Sequence, residues 1–402
     1  MPLVTQTFNH KTLMRIAIVI AFVQFTNALE YMALTPVFAF MAEGFSVPVS
    51  FSGYVSGMYT LGAVLSGIVA FYCIDLFNKK QFLLTNMMLL GALTFLSTLT
   101  THFDILLALR FCAGAVGGTT MGVGMSILIN YAPANLRGKM LATVIASFSL
   151  VSIVGMPAIL FLCTHYGWHT APGLISSLCL LSLPLIIFII PRDTAPSGVK
   201  RNLSIDAQTL LFASCTALVQ FSPMLIIPIL APLMTQYMGA QKNLLPLLFL
   251  SGGIAGYLST KITGMLTSRL SALMLATIST LFLVASLLIP AMGYHNVFLF
   301  ITLFLGASYS RLVCASSVAV QYPEDEQRAS FTSLQTAMMY LITTLAFFLS
   351  SLLLPDQGIT TQNLNRLLVV SALAASVFPV MVIILQKKLA KRTVPSDHFI
   401  ID

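Results

Sequence analysis

Twelve apolar runs, each long enough to cross a bilayer, leave this chain few ways to fold. They cover roughly 14–41, 47–74, 81–100, 104–130, 138–164, 169–190, 207–237, 244–267, 270–291, 296–322, 328–354 and 364–386. A crossing helix takes about 20 predominantly apolar residues. Inside hydrocarbon only helices and closed barrels satisfy every backbone N–H and C=O. The runs show no strand-like alternation, so helices are expected, and with them an all-α integral membrane protein. Charged residues make up 8% of the chain, against about 25% in a soluble domain. The first run is too long for a cleaved signal peptide, and no small-residue cleavage site follows it.

The net charge of +8 does not point to nucleic acid, because the basic residues fall in short loops between apolar runs. With the N-terminus inside, fifteen of the twenty Lys and Arg lie on the cytoplasmic side. Two, Lys242 and Arg366, lie outside, and Arg110, Lys261 and Arg311 lie within helices. This positive-inside bias places both termini in the cytoplasm, with a bacterial-type inner membrane as the expected location and lipids as partners. The longest connection, PRDTAPSGVKRNLSID at 191–206, has the Pro, Gly, Ser and charge content of a solvated linker. It separates a six-run half at 1–190 from another at 207–390, with a cytoplasmic tail at 391–402. The polar end from Lys387 onward reads as a frayed basic segment near the inner leaflet. Pro133 and Arg137 after the fourth run echo Pro323 and Arg328 after the tenth. Two sets of six runs about a central linker match the layout of parallel transporter repeats.

The residues that do not belong in lipid are the informative ones. Glu30 sits near the middle of the first run, with Gln24 and Asn27 earlier on the same helix. A carboxylate at that depth costs at least ~2.5 kcal/mol, so it needs a partner or a wet cavity. Arg110, in the fourth run, is the natural partner. One reading is a structural pair that only ties two helices together. The other is a protonatable carboxylate, because burial favours the neutral acid and a nearby guanidinium favours the ionised one. Arginine stays charged throughout and would serve as the fixed counter-charge. Arg311 has no acid in any helix of the second half. It is expected to face a cavity and hold an anionic group of a substrate by a bidentate bond. The alternative is that it bonds helix carbonyls or reaches Glu30 across the halves. Lys261 either lines the same cavity or snorkels to the interface. Gln24, Asn27, Tyr31, Gln220, Tyr309 and Gln335 lie at similar depth and are candidate lining residues.

Small residues and prolines bear on movement. Glycines cluster in the second, fourth and eighth runs, where they let helices approach closely. Pro223, Pro228 and Pro232 kink the seventh run, and Pro36 and Pro157 are candidates for the same effect. Enzyme chemistry has no foothold. The six cysteines form no CxxC pair, and the histidines map to loops or ends without an HExxH. No phosphate-binding GxxxxGK[ST] loop is present. Neither a metal nor a cofactor is expected.

Several local motifs resemble those of the major facilitator superfamily. The loop after the second run, Asp75 followed by Lys79 and Lys80, is similar to the superfamily's acid-plus-basic loop, with Phe71, Leu76 and Asn78 as departures. The fourth run, LALRFCAGAVGG, matches the arginine-plus-glycine pattern at Arg110 and Gly114. Gly155, Pro157, Gly167 and Trp168 resemble marks of the arabinose-efflux-like, drug:proton antiporter branch, as does ALEYMALTP in the first run. The resemblance implies twelve transmembrane helices in two pseudo-symmetric six-helix bundles. It implies proton coupling through Glu30 and Arg110 and a conformational latch at Asp75, Lys79, Lys80 and Arg137. The expected function is a monomeric, proton-driven secondary transporter that exports a small organic solute by alternating access, with the proton gradient as its energy source. Uptake of an anionic metabolite or metal-chelator complex is one alternative. A non-transporting scaffold or receptor on a degenerate transporter fold is another.

Overall fold

The computed structural model describes residues 10–73, 78–131, 134–191, 206–323, 328–354 and 360–393. Among the described residues there is no strand, and twelve helical spans are long and apolar enough to cross a membrane. They are His10–Met41, Val49–Ala70, Lys79–Leu99, Phe103–Leu128, Ala146–Tyr166, Thr170–Ile189, Ala207–Tyr237, Lys242–Leu266, Ala272–Ala291, Val297–Ala319, Leu334–Leu353 and Thr361–Ala390. They form two six-helix bundles. An even number of spans puts the first and last helix ends on one side, here called the terminal end; the other is the distal end. Of the expected central linker, residues 192–205 lie outside the described residues.

Helix starts follow side-chain chemistry. Asn78, Asp206, Ser271 and Asn296 each accept a bond from the backbone N–H three residues on, meeting one of the orphan donors of a first turn. Asp206 is fully exposed, and bonds from the Thr209 hydroxyl and amide hold its carboxyl below its usual range. The seventh span breaks where its prolines fall. An α-helix at Ala207–Ile226 gives way to a 3₁₀ turn at Ile227–Ile229, a short helix at Leu230–Pro232 and a π-turn at Leu233–Tyr237. A π-turn at Val151–Gly155 likewise precedes Pro157 in the fifth span. Pro36 leaves the first helix unbroken.

Two features depart from the sequence reading. The fourth span is divided by a turn at Gly118 and Thr119, giving Phe103–Gly117 and Thr120–Tyr131. The basic end does not fray at Lys387, since the last helix runs on to Thr393. Good helix formers carry it past the apolar run.

Close approach explains most of the clustered glycines, though Gly67, Gly122 and Gly264 have open space beside them. A Cβ on Gly114 would collide with the Tyr59 backbone, and one on Gly62 with the Phe111 carbonyl, which locks the second and fourth spans together. Between the halves, Gly53 lies against the Phe347 carbonyl, Gly57 against the Phe348 ring and Gly253 against the Ser152 carbonyl. Hydroxyls join the same boundary. Ser52 Oγ donates to the Pro228 carbonyl (2.6 Å), Ser351 Oγ to the Ser50 carbonyl (2.6 Å) and Thr344 Oγ1 to Thr60 Oγ1 (2.8 Å). These contacts close the distal end.

Candidate functional site

The first helix carries its polar residues on a buried surface. Glu30 is 0% and Arg110 2% exposed, and an Arg110 Nη1–Glu30 Oε1 ion pair joins the first and fourth spans. Thr94 Oγ1, from the third span, lies 3.5 Å from the same carboxylate oxygen. Arg110 also stands over the Tyr59 ring, 4.6 Å from its centroid. The pair is under-satisfied. Glu30 Oε2 and Arg110 Nε and Nη2 are buried without a hydrogen-bond partner. A buried ion pair is stable only when its remaining donors and acceptors are met, and removing one partner costs about 3–5 kcal/mol. Unmet atoms on both members make this pair one that an added proton or an anion can rearrange.

The other first-helix candidates cluster around it. Gln24 is buried and donates from Nε2 to the Thr120 carbonyl at 3.0 Å, just past the break in the fourth span. Its Oε1 and Asn27 Oδ1 are buried without partners. Tyr31 is half-buried and stacks on Tyr59, with centroids 5.3 Å apart. Tyr340, from the eleventh span, meets Tyr31 edge-on at 6.2 Å. Tyr309 bonds the Ser152 hydroxyl across the halves at 3.0 Å. Gln220 and Gln335 are half-buried.

Arg311 does not face open space, contrary to expectation. It is 1% exposed. Its Nη2 donates to the Ala375 carbonyl in the last span at 2.9 Å, and its guanidinium lies 5.4 Å from the Phe378 ring centroid. Nε and Nη1 have no partner. Bonding to a helix carbonyl, the alternative weighed for this residue, is what the structure holds. The guanidinium points away from the boundary between the halves, into the C-terminal bundle. Of the two positions weighed for Lys261, cavity and interface, the cavity is not the one it takes. It lies on an exposed helix face with Leu258, Ile262 and Met265, opposite the face where Thr263 bonds Ser310 of the tenth span at 2.7 Å. A lysine can take that position because its stem is apolar and its head can reach the interface.

The latch residues divide. Asp75 and the side chain of Arg137 lie outside the described residues. Lys79 is buried. Lys80 donates from Nζ to the carbonyls of Ile187 and Ile190, so it caps the sixth helix inside the N-terminal half, where a cation suits a helix C-terminus.

Tyr59, Thr94, Thr60, Thr344 and Tyr340 were not singled out from sequence. A signal for the relation between the halves was present. AFVQFT at 21–26 is repeated as ALVQFS at 217–222. In that register Gln24 matches Gln220, Pro36 matches Pro232, and Glu30 matches the buried Ile226. The C-terminal half therefore lacks the acid.

The Major Facilitator Superfamily model matches residues 20–209. Over 193 residues the chain is 28% identical to a niacin transporter of Acinetobacter baylyi, covering 48% of this chain and 40% of that protein. Over 178 residues it is 25% identical to a 4-hydroxybenzoate transporter of the same organism, covering 44% and 39%. The chain thus spans about two fifths of the length of these relatives. In fold it is similar to a bacterial homologue of the human lysosomal transporter Spinster, in an inward-facing and unoccupied conformation. The TM-score is 0.73 at 14% identity, over 97% of this chain and 100% of that one.

Proposed function

The chain belongs to the major facilitator superfamily, and on that premise we propose that it is a proton-coupled secondary transporter of a small organic solute. Its two bundles alternate access to a site between them. One observation carries the reading: a fully buried Glu30–Arg110 pair whose remaining polar atoms are unmet. Protonation of Glu30 removes the charge that holds Arg110. The guanidinium stays charged and becomes free to hold an anionic group through its remaining N–H donors. Loss of the proton restores the pair and displaces that group. Proton and solute are thereby linked through one arginine, and linkage makes the coupling reciprocal.

The residues of the fifth span that resemble the antiporter branch favour export, whereas the linkage just described, in which proton and anion bind together, is that of a symporter and favours uptake. A second reading, uptake of an organic anion, is favoured by two relatives named for carboxylic acids. The proposed setting is an inner membrane with both termini cytoplasmic and the protein acting as a monomer. Flux into proteoliposomes under an imposed pH gradient tests the proposal. Gradient-driven movement that Glu30→Gln abolishes supports it, and its direction separates export from uptake. Flux that ignores the gradient, or persists unchanged in Glu30→Gln, overturns it.

A further inference from the structure

We propose that Tyr31, Tyr59 and Tyr340, together with Arg110, form a recognition surface for a planar aromatic monocarboxylate. The rings take the face of the solute and the guanidinium its carboxylate. This rests on the transport reading above and names its substrate class.

The three phenols come from three helices and both halves. Tyr31 and Tyr59 are stacked with an interplanar angle of 28°, and Tyr340 presents its edge to Tyr31 at 82°. These are the two arrangements aromatic rings prefer, so a further flat ring finds a ready partner on this surface. Tyr31 and Tyr340 are only half-buried, so part of each side chain is accessible. The charge lies beside them. Arg110 touches the Tyr59 ring, and its Nε and Nη2 are buried without partners. Neighbouring guanidinium N–H groups form the fork that a carboxylate accepts from bidentately. A third feature concerns ring substituents. A Cβ at Gly117 would collide with both the Tyr59 hydroxyl and Asn27 Oδ1, so glycine there lets these two polar groups come together against the fourth span. Asn27 Oδ1 is buried and unpartnered, and can accept from an O–H or N–H on the solute.

Position fits the same role. Thr344 lies one turn from Tyr340, and its bond to Thr60, the neighbour of Tyr59, belongs to the distal closure. A ring on Tyr31 and Tyr340 would touch both halves at the closed end. A solute can shift a conformational equilibrium only through contacts that differ between the two states. Contacts that span the boundary differ in this way, because they break when the halves part.

The test uses the purified full-length chain and its thermal unfolding midpoint with benzoate, cyclohexanecarboxylate or benzamide. A ligand that binds the native state raises that midpoint. Cyclohexanecarboxylate keeps the charge and loses the π face, and benzamide keeps the ring and loses the charge. Benzoate is expected to half-saturate at a concentration at least ~10-fold below either analogue, an effect readable as a midpoint shift. Tyr31→Leu and Tyr340→Leu should each cut its advantage over the alicyclic acid to below ~2-fold, while Tyr31→Phe and Tyr340→Phe keep it, since the ring face is retained. Equal responses to benzoate and cyclohexanecarboxylate, no response to benzoate, or Leu variants that keep the preference would each overturn the inference. The three-ligand comparison on the unaltered chain decides even if a Leu variant fails to fold. Gradient-driven flux of another solute without benzoate binding sinks this inference alone. Benzoate selectivity without any gradient-driven flux sinks the transport reading alone.

Discussion

Arg110 and Arg311 are both arginines buried within a helical bundle, yet they are held in different ways. In the N-terminal half Arg110 faces a carboxylate from the first span, itself met by a threonine from the third, and a tyrosine ring from the second. In the C-terminal half the residue matching Glu30 is Ile226, and Arg311 turns to a helix carbonyl and a phenylalanine ring instead. A carbonyl is a fixed dipole that no proton removes at ordinary pH, whereas a carboxylate is a charge that one proton cancels. Burial alone therefore does not make an arginine part of a switch. The switch requires a partner whose charge can change.

The contrast can be broken most directly at Arg110. Arg110→Ala leaves a buried carboxylate uncompensated and is expected to destabilise the chain by about 3–5 kcal/mol. The double variant Glu30→Gln/Arg110→Met should recover most of that, read by thermal unfolding in detergent. If the single variant unfolds no earlier than the unaltered chain, the pair is not the electrostatic unit described. Next in size is the packing that sets the pair. Gly114→Ala forces a methyl into the Tyr59 backbone and should cost about 1–3 kcal/mol. Gly306→Ala in the other half meets the Ser259 hydroxyl at 3.0 Å and Ala255 at ordinary contact distance, and should cost less. Equal losses would show the halves to be packed alike.

Arg311→Met removes a charge with no counter-ion among the described residues, and should leave stability unchanged or raise it by about 1–2 kcal/mol. A loss of several kcal/mol would mean that an unrecognised anion compensates Arg311. Smaller still is Thr344→Val, which deletes one hydroxyl bond between the halves. It should weaken the distal closure by about 0.5–1.5 kcal/mol, seen as faster labelling of a cysteine placed at Ser351. Unchanged labelling would remove the Thr60–Thr344 bond from the closure. The smallest effect is at the exposed acid Asp206, whose folded carboxyl lies below its ordinary range. Its capping contribution is present above about pH 3.9, the ordinary aspartate value, and fades as pH falls through the lower folded value. The midpoint difference between the unaltered chain and Asp206→Ala should therefore shrink with acidification. A difference constant down to pH ~2 would show that the charge does not act.

The legible parts of this molecule are those in which a residue's chemistry conflicts with lipid. Glu30 and Arg110 were legible as partners because neither tolerates hydrocarbon alone and both lie at similar depth. The breaks in the seventh span were legible because proline has no N–H. The direction of Arg311 was not. A long side chain on a helix can reach either toward a cavity or across to a neighbouring helix, and its sequence neighbours do not choose between them. Lys261 shows the same ambiguity, resolved by the exposed leucine, isoleucine and methionine around it. The aromatic group escaped notice because its members are far apart in the chain: Tyr31 stood out as a candidate lining residue, but Tyr59 and Tyr340 each read alone as an ordinary membrane aromatic.

Local chemistry alone settled that the chain forms twelve membrane-crossing helices in two related halves, because length, apolar content and unsatisfied backbone groups act residue by residue. Which polar side chains meet, which face the boundary between halves and which turn inward depended on helix rotation and crossing. Those are set by glycine contacts and side-chain packing between segments far apart in sequence, and they exist only once the bundles have assembled.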